Sequence, residues 1–293
     1  METILKTGEL ELITSTSGAE IMSCTKDGIE YIWHGDPSYW GRRTPILFPF
    51  VGQVRNKEYR YDGKVYSMGQ HGFARDMDFT VKELKEDSIT YVLTQTEETL
   101  KVFPFRFTLE VSYRIARNEV LVGWTVRNTD DQDLYFSIGG HPAFMCPIDG
   151  MGSWDQYRIR FMKNQSPLSS LTIRPITTGG NVGSETTVIP LSDGCLIPSD
   201  DLFAGDALIA ENMQTDRVSL IDPNNKEYLI VSFDTPLVGI WSPVGKHAPF
   251  ICIEPWCGRT DSDDFEGSLE DREYGNRLHP EEVFHREYSI VFR

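Results

Sequence analysis

The sequence lacks long apolar runs and has few basic residues. No segment approaches the roughly 18 consecutive apolar residues of a membrane-spanning helix. The first residues, 1–18, carry several charges and no apolar core, so we expect no signal peptide. Lysine and arginine number 28 against 44 acidic residues, which gives a net charge of −16. Because nucleic acids and anionic membrane surfaces are bound by clustered Lys and Arg, we expect neither as a partner.

Cysteine is also scarce. There are five, an odd number, in a chain of 293 residues. A secreted disulfide scaffold uses more of them in pairs, and no two pairs stand at zinc-site spacing. We therefore expect reduced thiols and a cytoplasmic protein. The sequence also has no glycine-rich phosphate loop, no dinucleotide fingerprint and no H-E-x-x-H segment, so we expect no cofactor.

Long stretches with helical periodicity are missing, and β-like runs joined by turn signals take their place. Only residues 96–100 suggest a helical turn, which Pro104 limits. The stretch Asn164–Gly194 is rich in Ser, Thr, Gly and Pro, and we expect long surface loops there. No linker or internal repeat divides the chain, so we predict one all-β domain over residues 1–293, a large antiparallel β-sandwich. The predicted hairpin turns are Asp27-Gly28, Asp62-Gly63, Lys85–Ser88, Arg117-Asn118 and Pro223–Lys226.

Three short segments break the alternating pattern and concentrate reactive side chains. They are Gln70–Arg75 (QHGFAR), Gly139–Phe144 (GGHPAF) and Ile253–Gly258 (IEPWCG). A lone histidine at a strand end is usually structural, but two histidines and one glutamate form a complete acid–base set. Apolar neighbours should raise the pKa of the glutamate, which a neighbouring imidazolium would oppose.

In this order, the three segments resemble the aldose 1-epimerase (galactose mutarotase-like) family, and the LacX-type bacterial branch most closely. The resemblance implies a β-supersandwich and a cofactor-independent isomerase that interconverts the α and β anomers of a free hexose. Further matching segments are Trp40–Arg42 with Pro45–Pro49, Leu202-Phe203 with Asp206–Ile209, and Gly239–Trp241.

The resemblance also implies roles for individual residues. Glu254 would be the general base on the C1 hydroxyl, His141 would donate a proton to the ring oxygen, and His71 would bind and polarise the sugar. Residues 52–57 depart from the classical family pattern, so the sugar-binding cation is either Arg42, which we favour, or Arg55. The substrate-binding set is Arg42, Gln70, Arg75, Asp206 and Trp241.

Other functions compete with this interpretation. A hexose-6-phosphate epimerase would share the acid–base core and add an anion site, for which basic residues are available between positions 42 and 75. A non-catalytic carbohydrate-binding module would use the aromatic residues alone. A glycosidase would need a second carboxylate, and His71, His141 and Glu254 could chemically hold zinc. The preferred hexose and the oligomeric state stay open.

Overall fold

Antiparallel strands make up most of the chain, in a computed structural model that describes residues 1–293. The strands in chain order are β1 (Glu2–Thr7), β2 (Leu10–Ser15), β3 (Ile21–Lys26), β4 (Ile29–Glu30), β5 (Ile46–Leu47), β6 (Glu58–Tyr61), β7 (Lys64–Ser67), β8 (Thr80–Leu84), β9 (Ser88–Thr94), β10 (Phe107–Ala116), β11 (Glu119–Asn128), β12 (Leu134–Phe136), β13 (Ile138–Gly140), β14 (Ala143–Met145), β15 (Arg158–Lys163), β16 (Ser166–Pro167), β17 (Ser170–Arg174), β18 (Thr187–Pro190), β19 (Cys195–Leu196), β20 (Leu208–Ala210), β21 (Arg217–Ile221), β22 (Glu227–Phe233), β23 (Leu237–Trp241), β24 (Phe250–Cys257), β25 (Asn276–Leu278) and β26 (Val283–Phe292). This confirms the all-β prediction.

Helices are short. The α-helices are α1 (Glu97–Val102) and α2 (Asp200–Phe203), and the 3₁₀ turns are Arg55–Lys57, Ala74–Asp76, Ile148–Gly150, Trp154–Gln156 and Leu269–Asp271. Helix α1 begins where a helical turn was predicted, because the Thr96 hydroxyl accepts a hydrogen bond from the backbone N–H of Thr99 and caps it. No helix in the structure has the length and apolarity needed to cross a membrane.

The predicted hairpins form, and their turn residues explain why. Asp27 and Gly28 both have positive φ and join β3 to β4, and Asp62 and Gly63 do the same between β6 and β7. Two consecutive positive φ angles match the right-handed twist of the flanking strands, which favours Asp-Gly. The longest hairpin, β10–β11, turns at Arg117.

Two large sheets form the sandwich. The first sheet has the order β16-β15-β21-β22-β26-β11-β10-β9-β8, with β19 paired to β15. The second has the order β18-β17-β20-β23-β24-β13-β5, with β14 paired to β24. The sheets pack face to face, since Gly140 on β13 lies against Trp124 and Tyr288 of the first sheet. A contiguous core cluster of 61 buried side chains runs from Leu5 to Phe292, which favours the single-domain prediction.

Strand β24 is central to the second sheet, and all eight of its residues are buried. Successive side chains of a strand point to opposite faces. Ile251 and Ile253 therefore join the core between the sheets, whereas Cys252, Glu254 and Trp256 point to the other face. The carboxylate of Glu254 therefore lies on a strand whose side chains are buried on both faces of the sheet.

The expectation of loops throughout Asn164–Gly194 is wrong for three segments, the two-residue strand β16 and the strands β17 and β18. Strand β16 pairs with β15 of the first sheet. Strands β17 and β18 pair with each other, and β17 extends the second sheet through β20. The reason is visible in β17, where Leu171 and Ile173 alternate with Thr172 and are buried. The surrounding Ser, Thr, Gly and Pro residues hide this short period-2 pattern. The loop between β17 and β18 reaches a cavity on the outer face of the second sheet.

Candidate active site

A cavity of about 450 Å³ opens on the face of the second sheet that points away from the main core. A volume of this size is typical of small-ligand sites. Its floor comes from β23 and β24, and its walls include the loops on either side of β5, the loops after β7, β13, β17, β23 and β24, and the loop before β20. The predicted residues that line it are Gln70, His71, Arg75, His141, Asp206, Trp241 and Glu254.

Glu254 lies at the floor and is only 1% exposed. Its neighbour across the sheet is Gly239 on β23. A side chain at Gly239 would collide with the ring of Trp256, because the nearest ring carbon lies 2.6 Å from the place that a Cβ atom would occupy. The glycine lets the indole lie flat on the sheet beside Glu254. Neither carboxylate oxygen has a hydrogen bond of normal geometry to a protein group.

His141 follows β13 and is held by a hydrogen bond from its backbone N–H to the carbonyl of Pro45. Its imidazole stacks on Trp40 with ring centres 4.7 Å apart and meets Trp241 edge-on at 5.5 Å. Its Nε2 atom lies 3.3 Å from Oε2 of Glu254. The aromatic rings exclude water and hold the imidazole against the carboxylate.

His71 lies in a tight loop with a positive φ of 66°. The next residue, Gly72, has a Cα so close to the Phe48 carbonyl that any Cβ atom would collide with it. The backbone N–H of Gly52 donates to Nδ1 of His71 at 3.1 Å, and the His71 N–H donates to the Gly52 carbonyl at 2.7 Å. Because Nδ1 accepts a hydrogen bond, the ring is neutral and its proton is on Nε2. His71 therefore offers a fixed N–H donor.

Burial dominates the electrostatics of these three groups. It raises the pKa of Glu254 well above its usual range, and the charge of Asp206 adds to the rise, while the Trp256 indole N–H opposes it. The pKa of His141 is lowered to about 3, mainly by burial and also by the charges of Arg75 and Arg42, while a backbone hydrogen bond opposes the shift. The pKa of His71 is lowered well below its usual range by burial, by His141 and by the same two arginines.

The opposite pKa shifts of His141 and Glu254 mean that the pair holds one proton over a wide pH range. Two groups this close titrate as a unit, and the proton can occupy either one. The pair therefore contains one acid and one base whichever group carries the proton. This is the arrangement that a reversible proton transfer between two substrate oxygens requires.

A possible metal-ligand set also occurs here. Ligand atoms of His141, Cys252 and Glu254 all lie within 4.8 Å of one another. The zinc set considered from sequence, with His71, is not the one that the structure assembles, because His71 is not among the residues whose ligand atoms come together and Cys252 stands beside the pair instead.

Comparisons with known proteins agree with this geometry. The family model for aldose 1-epimerase matches residues 2–262. The chain belongs to the aldose 1-epimerase family. It is therefore an isomerase of a family that acts on sugars, as the sequence predicted.

Individual relatives place the chain within the family. It is 30% identical over 295 residues to the plasmid-encoded protein LacX of Lactococcus lactis subsp. lactis, covering 98% of each chain. The crystal structure of a galactose mutarotase related enzyme from Lactobacillus acidophilus superposes with a TM-score of 0.94 at 35% identity, covering 100% of this chain and 97% of that one. A putative glucose-6-phosphate 1-epimerase of Escherichia coli (strain K12) is 32% identical over 102 residues, 32% of each chain.

In this aldose 1-epimerase, neither arginine predicted as the sugar-binding cation lies in the cavity lining. Arg42, the favoured candidate, forms an ion pair with Asp76 at 2.7 Å, so its charge reaches the histidines only from a distance. The Arg55 guanidinium donates a hydrogen bond to the backbone carbonyl of Phe265 and does not line the cavity. The arginine in the lining is Arg75, which also donates to the backbone carbonyl of Gln70 at 2.7 Å.

Other lining residues had no assigned role in the sequence analysis. Lys246 donates to the carbonyls of Ser38 and Tyr39 and so ties two loops together at the cavity edge. Thr260 donates to the carbonyls of Gln53 and Gly180 and ties the loop after β17 to the His71 side. Four other lining residues stand in segments that match the family, namely Trp40, Ala207, Ile209 and Trp256. The hydrogen bonds of Lys246 and Thr260 connect positions far apart in sequence, so no local sequence pattern predicts them.

Proposed function

We propose that this protein interconverts the α and β anomers of a free hexose by acid–base ring opening and closure. The observation that carries the proposal is the buried His141–Glu254 pair, whose Nε2 and Oε2 atoms lie 3.3 Å apart in a cavity of sugar size. A single acid and a single base contribute roughly 10²–10⁴-fold each, which suits a reaction that already proceeds in water.

The steps balance without any added group. The reactive form has an ionised Glu254 and a protonated His141, and it is reached when the single proton of the pair moves from Glu254 to His141 across their 3.3 Å contact. Glu254 then takes the proton from the C1 hydroxyl while His141 gives its proton to the ring oxygen, and the C1–O5 bond breaks to leave an aldehyde. The C1–C2 bond then rotates. On closure, His141 takes the proton back from the O5 hydroxyl as it attacks the other face of the aldehyde, and Glu254 returns its proton to O1. The pair starts and ends the cycle with the same single proton.

The surrounding residues would bind the sugar. His71 would donate from Nε2 to a sugar oxygen near the anomeric centre, and Asp206 would accept from hydroxyl groups. Trp241 and Trp40 offer flat apolar surfaces for the ring faces. Gln70 and Arg75 would complete the polar wall. The five cysteines are free thiols, which fits a role in the cytoplasm.

A neutral sugar suits the cavity better than a phosphorylated one. The two cations that line it, Arg75 and Lys246, already donate to backbone carbonyls, and Asp206 and Glu254 add acidic groups. A dianionic phosphate would be repelled by these two acidic groups when they are ionised, which a neutral sugar would not. The match to a putative glucose-6-phosphate 1-epimerase covers only a third of the chain and is the reason to test both substrate classes.

The test is polarimetry on freshly dissolved α-anomers of glucose, galactose and their 6-phosphates, with and without the protein. We expect faster approach to equilibrium for at least one free hexose, in proportion to protein concentration, and a smaller effect on the corresponding 6-phosphate. Acceleration of only the phosphorylated sugars would replace the proposal by the hexose-6-phosphate reaction. No acceleration of any of the four would contradict epimerisation of these hexoses.

The pH dependence should reflect the one-proton pair. We expect kcat/KM to stay level through the usual titration range of histidine, about pH 6.5, and to fall on the acid side only near the His141 pKa of about 3, where the pair gains a second proton and loses its base. On the alkaline side the pair loses its last proton, at a pH set by the raised pKa of Glu254. The measurement is the initial rate against pH after subtraction of the uncatalysed rate. An acid limb centred near pH 6.5 would contradict the assignment.

Replacing His71 should affect binding as well as turnover. The variant His71→Asn keeps an acceptor for the Gly52 N–H but loses the Nε2 donor, so we expect a higher KM together with a lower kcat. Steady-state kinetics by polarimetry measure both. The surface variant His279→Asn, which removes only an exposed contact with Asp133, is the control. An unchanged KM in folded His71→Asn would exclude His71 from sugar binding.

A further inference from the structure

Cys252 has no place in the proposed reaction, yet its side chain lies next to the two residues that perform it. It is fully buried on β24, two residues before Glu254, and both side chains point to the same face of the strand. Its ligand-capable sulfur lies within 4.8 Å of Nε2 or Nδ1 of His141 and of a carboxylate oxygen of Glu254. The thiol is thus a third donor at the floor of the cavity.

We propose that Cys252, His141 and Glu254 form an inhibitory site for a thiophilic divalent cation, with Zn²⁺ as the fitting ion. Sulfur, imidazole nitrogen and carboxylate oxygen are the ligand types that zinc takes in proteins. The inhibition rests on the proposed function, whereas the binding of the cation does not.

The geometry fits a tetrahedral ion. Zinc–nitrogen and zinc–oxygen bonds of about 2.0–2.2 Å at tetrahedral angles place the two ligand atoms about 3.4 Å apart. Nε2 of His141 and Oε2 of Glu254 are 3.3 Å apart. His141 and Glu254 also line the cavity, so a cation can enter from solvent and keep its fourth position toward the cavity.

A second observation points independently to a ligand at this place. Both carboxylate oxygens of Glu254 are buried and have no hydrogen bond of normal geometry to a protein group, although the Trp256 indole N–H and Nε2 of His141 lie beside them. Buried polar groups are normally satisfied, and an unsatisfied carboxylate aimed at an imidazole and a thiol is a ready cation ligand. Sugar binding would satisfy the same oxygens, so sugar and cation would compete.

The site is built for reversible inhibition and not for a resident metal. Histidines that hold resident zinc donate their other ring N–H to a carboxylate or carbonyl, which fixes the ring and raises affinity. Nδ1 of His141 has no such partner. Zn²⁺ binding should therefore be reversed by a chelator, and the chelator alone should leave the anomerisation rate of the metal-free protein unchanged.

The test follows binding and activity separately. Isothermal calorimetry with Zn²⁺, and the thiolate-to-cobalt charge-transfer absorbance on Co²⁺ addition, report binding without any sugar. We expect one ion per chain, a thiolate band, inhibition of anomerisation that is competitive with sugar, and no effect of Mg²⁺, which prefers oxygen ligands. Cys252→Ala should weaken Zn²⁺ binding and inhibition by at least about tenfold, since even a partner outside the ligand set is worth 10–100-fold.

Controls separate the possible outcomes. Cys195→Ala removes the partly exposed thiol, the most accessible alternative ligand, and should change neither binding nor inhibition. If Cys252→Ala does not fold, Cys252→Ser keeps the volume and should give the same direction of change. Zn²⁺ binding that is absent, or equal in wild type and a folded Cys252 variant, overturns the proposal. Binding with a thiolate band in a protein that accelerates no sugar supports the cation site and contradicts the proposed function alone.

Discussion

Glu254→Gln should lower kcat by roughly 10²–10⁴-fold, because the amide keeps the shape of the side chain and cannot take the C1 hydroxyl proton. The effect on KM should be smaller, since the sugar is held by other groups in the cavity. Polarimetry of a responsive α-hexose at saturating concentration measures kcat. Glu287→Gln, a change on the exposed face of β26, is the matched control and should keep wild-type activity.

The same substitution should stabilise the fold at neutral pH. A carboxyl group whose pKa in the folded protein is raised above its usual value near 4.5 does not lower the free energy of unfolding through ionisation below that pH. As the pH rises from the usual pKa to the raised pKa, the free energy of unfolding falls progressively. Removing the group removes this loss, so the melting temperature of Glu254→Gln should rise by a few degrees at pH 7, with the gain shrinking below about pH 4.5. Wild-type activity in folded Glu254→Gln, or a lower melting temperature, would contradict the role assigned to this residue.

His141→Asn should be comparably damaging, with a kcat loss of roughly 10²–10⁴-fold, because it removes the group that protonates the ring oxygen. With only Glu254 left to titrate, the residual activity should rise with pH as the carboxyl group ionises. A merely structural role for His141 would lower stability without changing the pH profile. His285→Asn, at an exposed histidine on β26, is the control.

The two residues should also behave as one unit. The double variant Glu254→Gln/His141→Asn should be little slower than the slower single variant, since either change already disables the shared proton transfer. Multiplicative losses in the double variant would show that the two residues act in separate steps. The comparison requires kcat and the melting temperature of the wild type, both single variants and the double variant, measured on the same preparations.

The fold was predictable because its signals are local. Asp-Gly turns with positive φ and alternating strands specify hairpins, and these form as expected. Strands β17 and β18 were missed because each is short and stands among loop-forming residues. Strand β17 pairs with β20 and buries Leu171 and Ile173, a contact that local composition does not reveal, whereas β18 pairs only with β17 and is largely exposed.

The candidate site was largely predictable from three segments and the family resemblance, and one of its additional residues was within reach. Cys252 stands two positions before Glu254 on one strand, so the period-2 rule already places both side chains on the same face. The position of Arg42 was not predictable, because a long side chain takes its partner from the folded surroundings. Its partner is Asp76, 34 positions away.

The fate of oxygen-18 at C1 during anomerisation tests ring opening most directly. In the proposed reaction the C1–O5 bond breaks and O1 stays on C1. A hexose labelled at O1 should therefore change from the α to the β anomer and lose its label no faster than it does in protein-free solution. Nuclear magnetic resonance of the anomeric carbon follows anomer and label together. Loss of the label in step with anomerisation would mean that C1–O1 breaks instead, and would contradict the proton transfer assigned to His141 and Glu254.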